Sequence, residues 1–449
     1  MMGDDSLFNL LEQGLAEAKK IGVSNILLSA MAKEQRGVEV FERELKSVQV
    51  SDEVKLSVWL SMGEAWGAST CEGLNLTSLK QAIEQAKLAC EFSDPDPNYS
   101  LAPSIQLEEH HFIDESIFKT SMQDLEKEAL KMEALALAFD PKIKNVSELS
   151  WGHTKKTRYL LNSQGLKHAE TSGLRHIGLS VLAEGKDGRV VNAYEGESIR
   201  HLKDFDSQAW VGQVAAEAVR RIEPKTIKSG DYEIILEAAP AAQLLRSFVP
   251  AFGGDFLYKG LSKLEKKLEQ KIASEIVTLS QSPIQGLVPV VLDGEGMPAQ
   301  DLDLIKEGMF KNFYHNLYTA KKAGVKTTGN AAFASGQAPA LSPLNLAWQG
   351  KTMPEEELLK KVNQALYIKE LHGAMASPIS GDFSYGALGY WVEDGQIQYP
   401  IADFTVAGNF FEMLLNIKGM GQKLRYQSTH VTGSYGGRDL WVKGLKVSA

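Results

Sequence analysis

The sequence predicts a mixed α+β, multi-domain protein, and three observations carry that prediction. The chain has 449 residues, more than a single hydrophobic core normally organises. Helical stripes with apolar residues three or four apart occur beside segments that alternate at period two. Hairpin turn signals outnumber strand–helix alternations, which favours antiparallel pairing over a doubly wound parallel sheet.

The first segment, 1–98, is predicted to be an N-terminal α+β domain. Leu7, Leu11, Leu15 and Ala18 fall on one helical stripe that Gly22 stops. Leu56, Val58, Leu60 and Met62 alternate with Lys55, Ser57, Trp59 and Ser61, the pattern of a half-buried strand. A second helix carries Leu79, Ile83, Ala86 and Cys90. It ends before Ser93-Asp94-Pro95-Asp96-Pro97-Asn98, through which no helix continues.

The middle segment, 99–225, starts as a linker and then reads as a helix from Ser121 to Phe139, with Ser121-x-x-Asp124 as its cap and Asp140-Pro141 as its stop. Arg158 to Leu161 reads as a strand, and Ile177, Leu179 and Val181 alternate with His176, Gly178 and Ser180. Asp187-Gly188 marks a hairpin. Trp210, Val214 and Ala218 form a helix that ends near Glu223-Pro224.

The last segment, 226–449, is read as β-rich. Tyr232 to Leu236 is a strand leading into a small-residue helix, Ala238 to Phe248. Helical spacing is read again from Pro354 to Leu371, and Asp394-Gly395 marks a second hairpin between Trp391-Val392-Glu393 and Gln396-Ile397-Gln398. Gly433, Gly436 and Gly437 precede a final strand at Leu440-Trp441-Val442.

Composition narrows the function. Apolar residues are 43%, charged residues 23%, and the net charge is −9, which fits a globular protein and argues against a general nucleic-acid binder, since that needs a basic face. Two cysteines, Cys71 and Cys90, are too few for a disulfide framework or a Cys-rich zinc site and fit a reducing compartment. The N-terminal Met-Met-Gly-Asp-Asp-Ser is acidic and no long apolar run follows it. A cytoplasmic protein without signal peptide or membrane contact is expected.

Several motifs yield to plainer readings. Gly350-Lys351-Thr352 matches the tail of a phosphate-binding loop, but the first glycine of that pattern falls on Asn345; Thr352-x-x-Glu355 reads better as a capping box. Asp94, Asp96 and Asn98 open like a calcium loop whose sixth and twelfth positions would be Tyr99 and Ile105, so the segment is read as a turn. His110-His111 after Glu108-Glu109 reads as a solvated linker, because adjacent histidines point apart. His176 faces away from the apolar side of its strand and is expected to be exposed or cross-strand paired. The run Ser380-Gly381-Asp382-Phe383-Ser384-Tyr385-Gly386, with Gly408-Asn409 after it, concentrates glycine, hydroxyl and carboxylate. It reads equally as backbone shaped to approach a peptide or as a tight loop between strands.

Asp293-x-Glu295-Gly296, Gly308, Thr319-Ala320-x-x-x-Gly324-x-x-x-Thr328-Gly329-Asn330, Gly381-Asp382-Phe383-Ser384-x-Gly386-Ala387, Gly389-Tyr390-Trp391-Val392-Glu393-x-Gly395 and Tyr399-Pro400-x-x-x-Phe404-Thr405-Val406-Ala407-Gly408-Asn409 follow one another along the chain. In these runs the sequence resembles the TldD/PmbA family, most strongly from about 230 to 420 and more weakly near Ser93 to Pro97. The resemblance implies an N-terminal α+β part, a middle part and a large C-terminal β-rich domain, barrel-like with a mixed sheet. It also implies a cytosolic metallopeptidase that trims peptides, a microcin precursor among them in some bacteria, built from two kinds of subunit. The TldD kind binds zinc through an H-E-x-x-x-H helix. The PmbA kind, also called TldE, lacks that motif. The older name is modulator of DNA gyrase.

Against the family's Leu-Leu-His-Glu-x-x-x-His run this chain places Leu244-Leu245-Arg246-Ser247-Phe248-Val249-Pro250-Ala251. Arg246 stands for the first histidine, Ser247 for the glutamate and Ala251 for the second histidine. A guanidinium stays protonated and cannot ligate zinc, and a serine cannot take a proton from a metal-bound water as a carboxylate does. The chain is therefore expected to hold no zinc, no cofactor and no catalytic residue of its own.

The resemblance thus implies a PmbA/TldE-type subunit that pairs with a zinc-bearing TldD-like chain and shapes a peptide channel, with Gly381, Asp382, Ser384, Gly386, Gly408 and Asn409 as peptide-contact candidates. Two alternatives stand beside it. One is a metal-independent peptidase using Asp293, Glu295 or Asp382; the other is a non-enzymatic homodimeric scaffold that modulates a machine such as gyrase.

Overall fold

The computed structural model describes residues 4–105, 112–333, 336–428 and 433–449. The first half of the chain runs α1 (Asp4–Lys20), β1 (Asn25–Phe41), β2 (Glu44–Met62), β3 (Ala65–Cys71), α2 (Leu76–Cys90), α3 (Glu115–Phe118), α4 (Met122–Ala138), β4 (Ile143–Asn162), β5 (Lys167–Glu184), β6 (Val190–Ile199) and α5 (Ser207–Arg220). Its six strands form one antiparallel sheet in the order β3-β2-β1-β4-β5-β6, curled into a half-barrel.

Helices cover one face of that sheet. Leu7 and Leu11 of α1 and Leu79, Ile83 and Ala86 of α2 close one core over β1 and β2, while Leu125 and Ala129 of α4 and Val214 and Ala218 of α5 close another over β4 and β5. The break near residue 98 therefore separates two cores but not two sheets, because β1 and β4 pair from Leu27↔Asn162 to Val40↔Leu149. The strand at Leu56–Met62 was expected to be half-buried; Leu56 through Ser61 are all buried. Trp59 on the second face packs with Leu166, Leu292 and Phe333, partners that arrive from distant parts of the chain. Ser121 caps α4, accepting from the Asp124 N–H at 3.1 Å, and His176 meets Ser198 Oγ across the strands at 3.3 Å.

The second half continues β7 (Gly230–Leu236), α6 (Ala238–Phe248), α7 (Gly254–Tyr258), β8 (Val277–Gln281), β9 (Leu302–Lys306), β10 (Met309–Phe310), α8 (Leu317–Ala323), β11 (Ala331–Ala332), β12 (Ala340–Leu341), β13 (Leu346–Gly350), α9 (Glu355–Lys360), β14 (Gln364–Ala376), β15 (Asp382–Glu393), β16 (Gln396–Asn409), α10 (Phe410–Leu415), β17 (Ile417–Met420), β18 (Arg425–Ser428), β19 (Ser434–Gly437) and β20 (Leu440–Ser448). Strands β16-β15-β14-β7-β20 close into a five-stranded barrel through the β16–β20 pair, with β17 added on β20 and β7–β14 parallel. A second sheet runs β10-β9-β8-β13-β19-β18. The helix α6 packs between barrel and sheet, within the largest core.

Two sequence expectations fail here. The helix expected from Pro354 to Leu371 stops at Lys360, and Gln364 onward is strand β14. Leu366, Tyr367 and Ile368 pair with Ile234, Ile235 and Leu236 of β7; closing the barrel satisfies more backbone than a lone helix can. Thr352 is not the cap of α9: Pro354 holds that position without a side-chain hydrogen bond. Among the described residues no helix is long and apolar enough to cross a membrane.

Candidate functional site

The helix carrying the aligned metal-motif positions is fixed at both ends. At its start Gly437 approaches so closely that a Cβ there would lie 1.6 Å from the Ala238 carbonyl oxygen. Asp439 accepts a hydrogen bond from the Ala238 N–H at 3.0 Å and from the Tyr367 hydroxyl at 3.0 Å. Glu237, just before the helix, is bound by Lys369 at 2.6 Å. Lys369 reaches Glu195 of β6 at 3.5 Å, and Arg425 of β18 holds Glu195 and Glu197 at 2.8 and 3.1 Å. This chain of charges ties the half-barrel to the C-terminal half. Burial pushes Glu237 and Glu197 above the usual carboxylate range, whereas for Glu195 the cations Arg425 and Lys369 outweigh burial and hold it below.

At its far end α6 gives way to a 3-10 turn, Val249–Phe252, as a proline at position 250 demands. Arg246 is exposed. Ser247 donates to the Gln243 carbonyl at 3.2 Å and shares a 2.8 Å hydrogen bond with the Tyr385 hydroxyl. Ala251 is fully buried in the core and offers no donor atom. These three side chains do not fit a zinc ion, which needs imidazole, thiolate or carboxylate ligands. Among the described residues no three His, Cys, Asp or Glu side chains converge on a point that could hold a metal; His110 and His111 lie outside the described residues.

The glycine-rich run is the start of β15 and the turn before it. Gly381 N–H bonds the Ser377 carbonyl at 2.7 Å, and Asn409 links Ser380 and Asp382 at 2.9 and 2.8 Å while its Oδ1 caps α10. Asp382 pairs with Asn409, Phe383 with Gly408, Ser384 with both Ala407 and Met375, and Gly386 with both Thr405 and His372. β15 is thus an inner strand with neighbours on both sides. Gly381 precedes this strand, Gly386 lies within it, and Gly408 and Asn409 end β16. The exposed His372 ring lies over Gly386, 2.4 Å from where a Cβ would sit. Asp382 remains exposed, its carboxyl held low by Asn409 and Ser380.

The acidic pair is structural as well. Asp293 accepts from the N–H groups of Glu295, Met297 and Ala331, each at 2.9 Å. Glu295 accepts from the Leu317 N–H at 2.9 Å, at the start of α8. Burial raises both carboxyls, and the charge of Asp293 adds to the rise at Glu295. Asp96 of the calcium-like run accepts from the Tyr318 hydroxyl at 2.9 Å and from the Asn98 N–H at 2.9 Å, a turn docked on α8.

The large concavity is elsewhere. The open face of the half-barrel lines a cleft of 1410 Å³, closed on one side by Val288, Val290, Phe333 and Gly433. Arg158 secures that side by donating to the carbonyls of Leu292 and Asp293, and Glu170 does so by accepting from the Val291 N–H at 2.6 Å. Lys33, Lys55, Lys156, Gln35, Thr154 and His176 are among its walls. Of these, the sequence reading named only His176 and Lys55, each as a position in a strand pattern and neither as a site residue. The available signal was the shared period-two face of Met31-x-Lys33-x-Gln35 and Thr154-x-Lys156-x-Arg158; what put the two runs together was the β1–β4 register.

The family model for the PmbA/TldA metallopeptidase central domain matches residues 115–223, and that for the PmbA/TldA metallopeptidase C-terminal domain matches 229–449. The chain is 27% identical over 402 residues to the metalloprotease PmbA homologue of Haemophilus influenzae, spanning 87% of this chain and 86% of that protein. It is 26% identical over 435 residues to metalloprotease PmbA of Escherichia coli O157:H7, spanning 95% and 94%. In fold it matches the crystal structure of TldE from Thermococcus kodakarensis with a TM-score of 0.87 at 22% identity, over 98% of this chain and 100% of that one.

Proposed function

The chain belongs to the PmbA/TldD family, and from that premise we propose that it is the zinc-free subunit of a two-subunit peptidase, paired with a TldD-like chain that carries the metal. The observation that carries this reading is the chemistry at Arg246, Ser247 and Ala251: one fixed cation, one hydroxyl already bonded to Tyr385 and one methyl group. None can ligate zinc or take a proton from a water at neutral pH. The role left to this chain is to hold and align a peptide for the partner's chemistry, for which positioning alone supplies a large part of a rate enhancement. Its broad concavity, the half-barrel cleft, is the surface suited to that work.

The test is capture of the tagged full chain from its own cells, with identification of co-purifying proteins and metal analysis of the eluate. A stoichiometric partner bearing H-E-x-x-x-H, with zinc following that partner, supports the reading. Recovery of this chain by itself, with zinc bound one to one, overturns it.

A further inference from the structure

We propose that the half-barrel cleft binds acidic peptide segments, with Lys33 and Lys156 receiving one carboxylate and Lys55 a second. The proposal rests on the peptide-holding role above and names the chemistry of what is held.

Lys33 and Lys156 are direct cross-strand partners on β1 and β4, and both side chains line the cleft. Like charges so placed oppose each other and destabilise the pair. Among the described residues neither lysine side chain has a hydrogen bond or an ion pair, nor has the side chain of Lys55. Of the carboxylates at the cleft, Glu148 stands eight residues along β4 from Lys156, and the others have partners of their own. Glu170 is taken by Arg158 and the Val291 N–H, Glu39 by Lys46 and Ser47, and exposed Glu53, opposite Lys33 on β2, accepts from Ser51 at 2.7 Å. Burial and the charge of Lys33 lower Lys156, and burial with Lys156 pushes His176 down to about 4, so the imidazole is neutral at pH 7. Two facing cations whose side chains form no ion pair among the described residues, inside a concavity, form a receptor for an anion.

The rest of the wall favours a peptide. The cleft exceeds the roughly 300–1,000 Å³ of small-molecule pockets and so suits a polymer. Gly37 and Gly152, directly opposed, put no side chain on the floor, and Ser29, Ser57, Gln35 and Thr154 present amide and hydroxyl groups. Lys55 pairs with Met31, two residues from Lys33, which is about 7 Å along an extended strand; carboxylates at alternate positions of an extended peptide match that spacing. A nucleic-acid strand fits poorly, because it needs aromatic platforms. Trp151 is stacked on Phe205 and Phe333 is packed against the Trp59 cluster.

The experiment measures binding of a fluorescein-labelled Gly-Glu-Gly-Glu-Gly-Glu-Gly peptide, and of its Gln counterpart, to the full chain by anisotropy. Lys33→Gln, Lys156→Gln and the exposed-turn control Lys186→Gln are compared. The Glu peptide is expected to bind at least about tenfold tighter than the Gln peptide, a preference that weakens with salt. Each cleft variant is expected to lose about that factor while Lys186→Gln keeps it. Thermal midpoints of the unliganded cleft variants at or above the unsubstituted protein establish that they are folded. Equal binding of the two peptides, no binding of either, indifference to both cleft substitutions, or displacement of the Glu peptide by an equal concentration of single-stranded oligonucleotide overturns the proposal. Because the assay needs no partner and no catalysis, a failed partner capture with intact acidic preference sinks only the subunit reading, and the reverse result sinks only this one.

Discussion

Asp439 caps a helix that begins 201 residues earlier in the chain: its carboxylate accepts from the Ala238 N–H at 3.0 Å and from the Tyr367 hydroxyl at 3.0 Å. The helix has no side-chain cap of its own, since Glu237 is turned to Lys369. The position of Arg246 and Ser247 thus depends on a residue in the last turn of the fold. Asp439→Ala is expected to destabilise the protein by about 2 kcal/mol, from a lost cap plus a buried hydroxyl left unpaired. Asp439→Asn, which keeps one acceptor, is expected to cost about half of that; urea midpoints measure both.

Gly437 tests how tightly the same helix is seated. A methyl group there would meet the Ala238 carbonyl oxygen at 1.6 Å, so Gly437→Ala is expected to cost about 3 kcal/mol or more, the upper end for overpacking. Gly444, with φ +83° and nothing within 4 Å of its missing Cβ, gives the comparison. Gly444→Ala should cost only the backbone strain, about 1–2 kcal/mol. Equal losses would show that α6 yields easily.

Arg221 joins the end of α5 to the barrel. It holds Glu217 at 3.0 Å and also Glu370, while Tyr390 donates to Glu217 at 2.5 Å. Removing it leaves buried Glu217 without its close cation, so Arg221→Ala is expected to lose about 3–5 kcal/mol. The neighbour Arg220, exposed and 3.9 Å from Glu217, should lose about 0.5 kcal/mol or less on the same change. Chemical denaturation of the two variants separates these outcomes.

Stability should fall in mild acid. His153 is pushed down to about 4 by burial and then by Arg175, and His176 to about 4 by burial and then by Lys156, against 6.5 when unfolded. The folded state binds these protons less readily than the unfolded chain. The contribution is therefore complete above pH 6.5 and is lost as pH drops from 6.5 toward 4. For buried His153 the loss amounts to up to about 3 kcal/mol. His153→Gln is expected to flatten the fall in urea midpoint between pH 7 and pH 5; an unchanged slope would remove histidine from the explanation.

Local chemistry was legible where neighbours in sequence are neighbours in space. Ser121 before Asp124 made a helix cap. Asp394-Gly395 made a two-residue hairpin with φ of +50° and +74°, because only such residues tolerate that turn. The poor fit of the side chains at 246, 247 and 251 to a zinc ion needed no coordinates, since donor chemistry belongs to the side chain itself. Apolar spacing misled at 364–371, where Leu366 and Ile368 fit a helix stripe as well as a strand until β7 claimed them. The glycines at 381, 386 and 408 were ambiguous for the same reason: a small residue marks a close approach without saying whether a ligand or another strand arrives.

The sequence by itself determined the class of fold, the family and the donor chemistry at 246, 247 and 251, because composition, periodicity and side-chain chemistry are properties of residues and short windows. Only the tertiary structure decided that strands from both sides of residue 98 share one sheet, that Asp293 and Glu295 hold loops together, and that Lys33 faces Lys156 across the floor of a cleft. Those facts depend on register between segments more than a hundred residues apart. Register is set by the joint burial of whole faces, and no local window of the chain contains it.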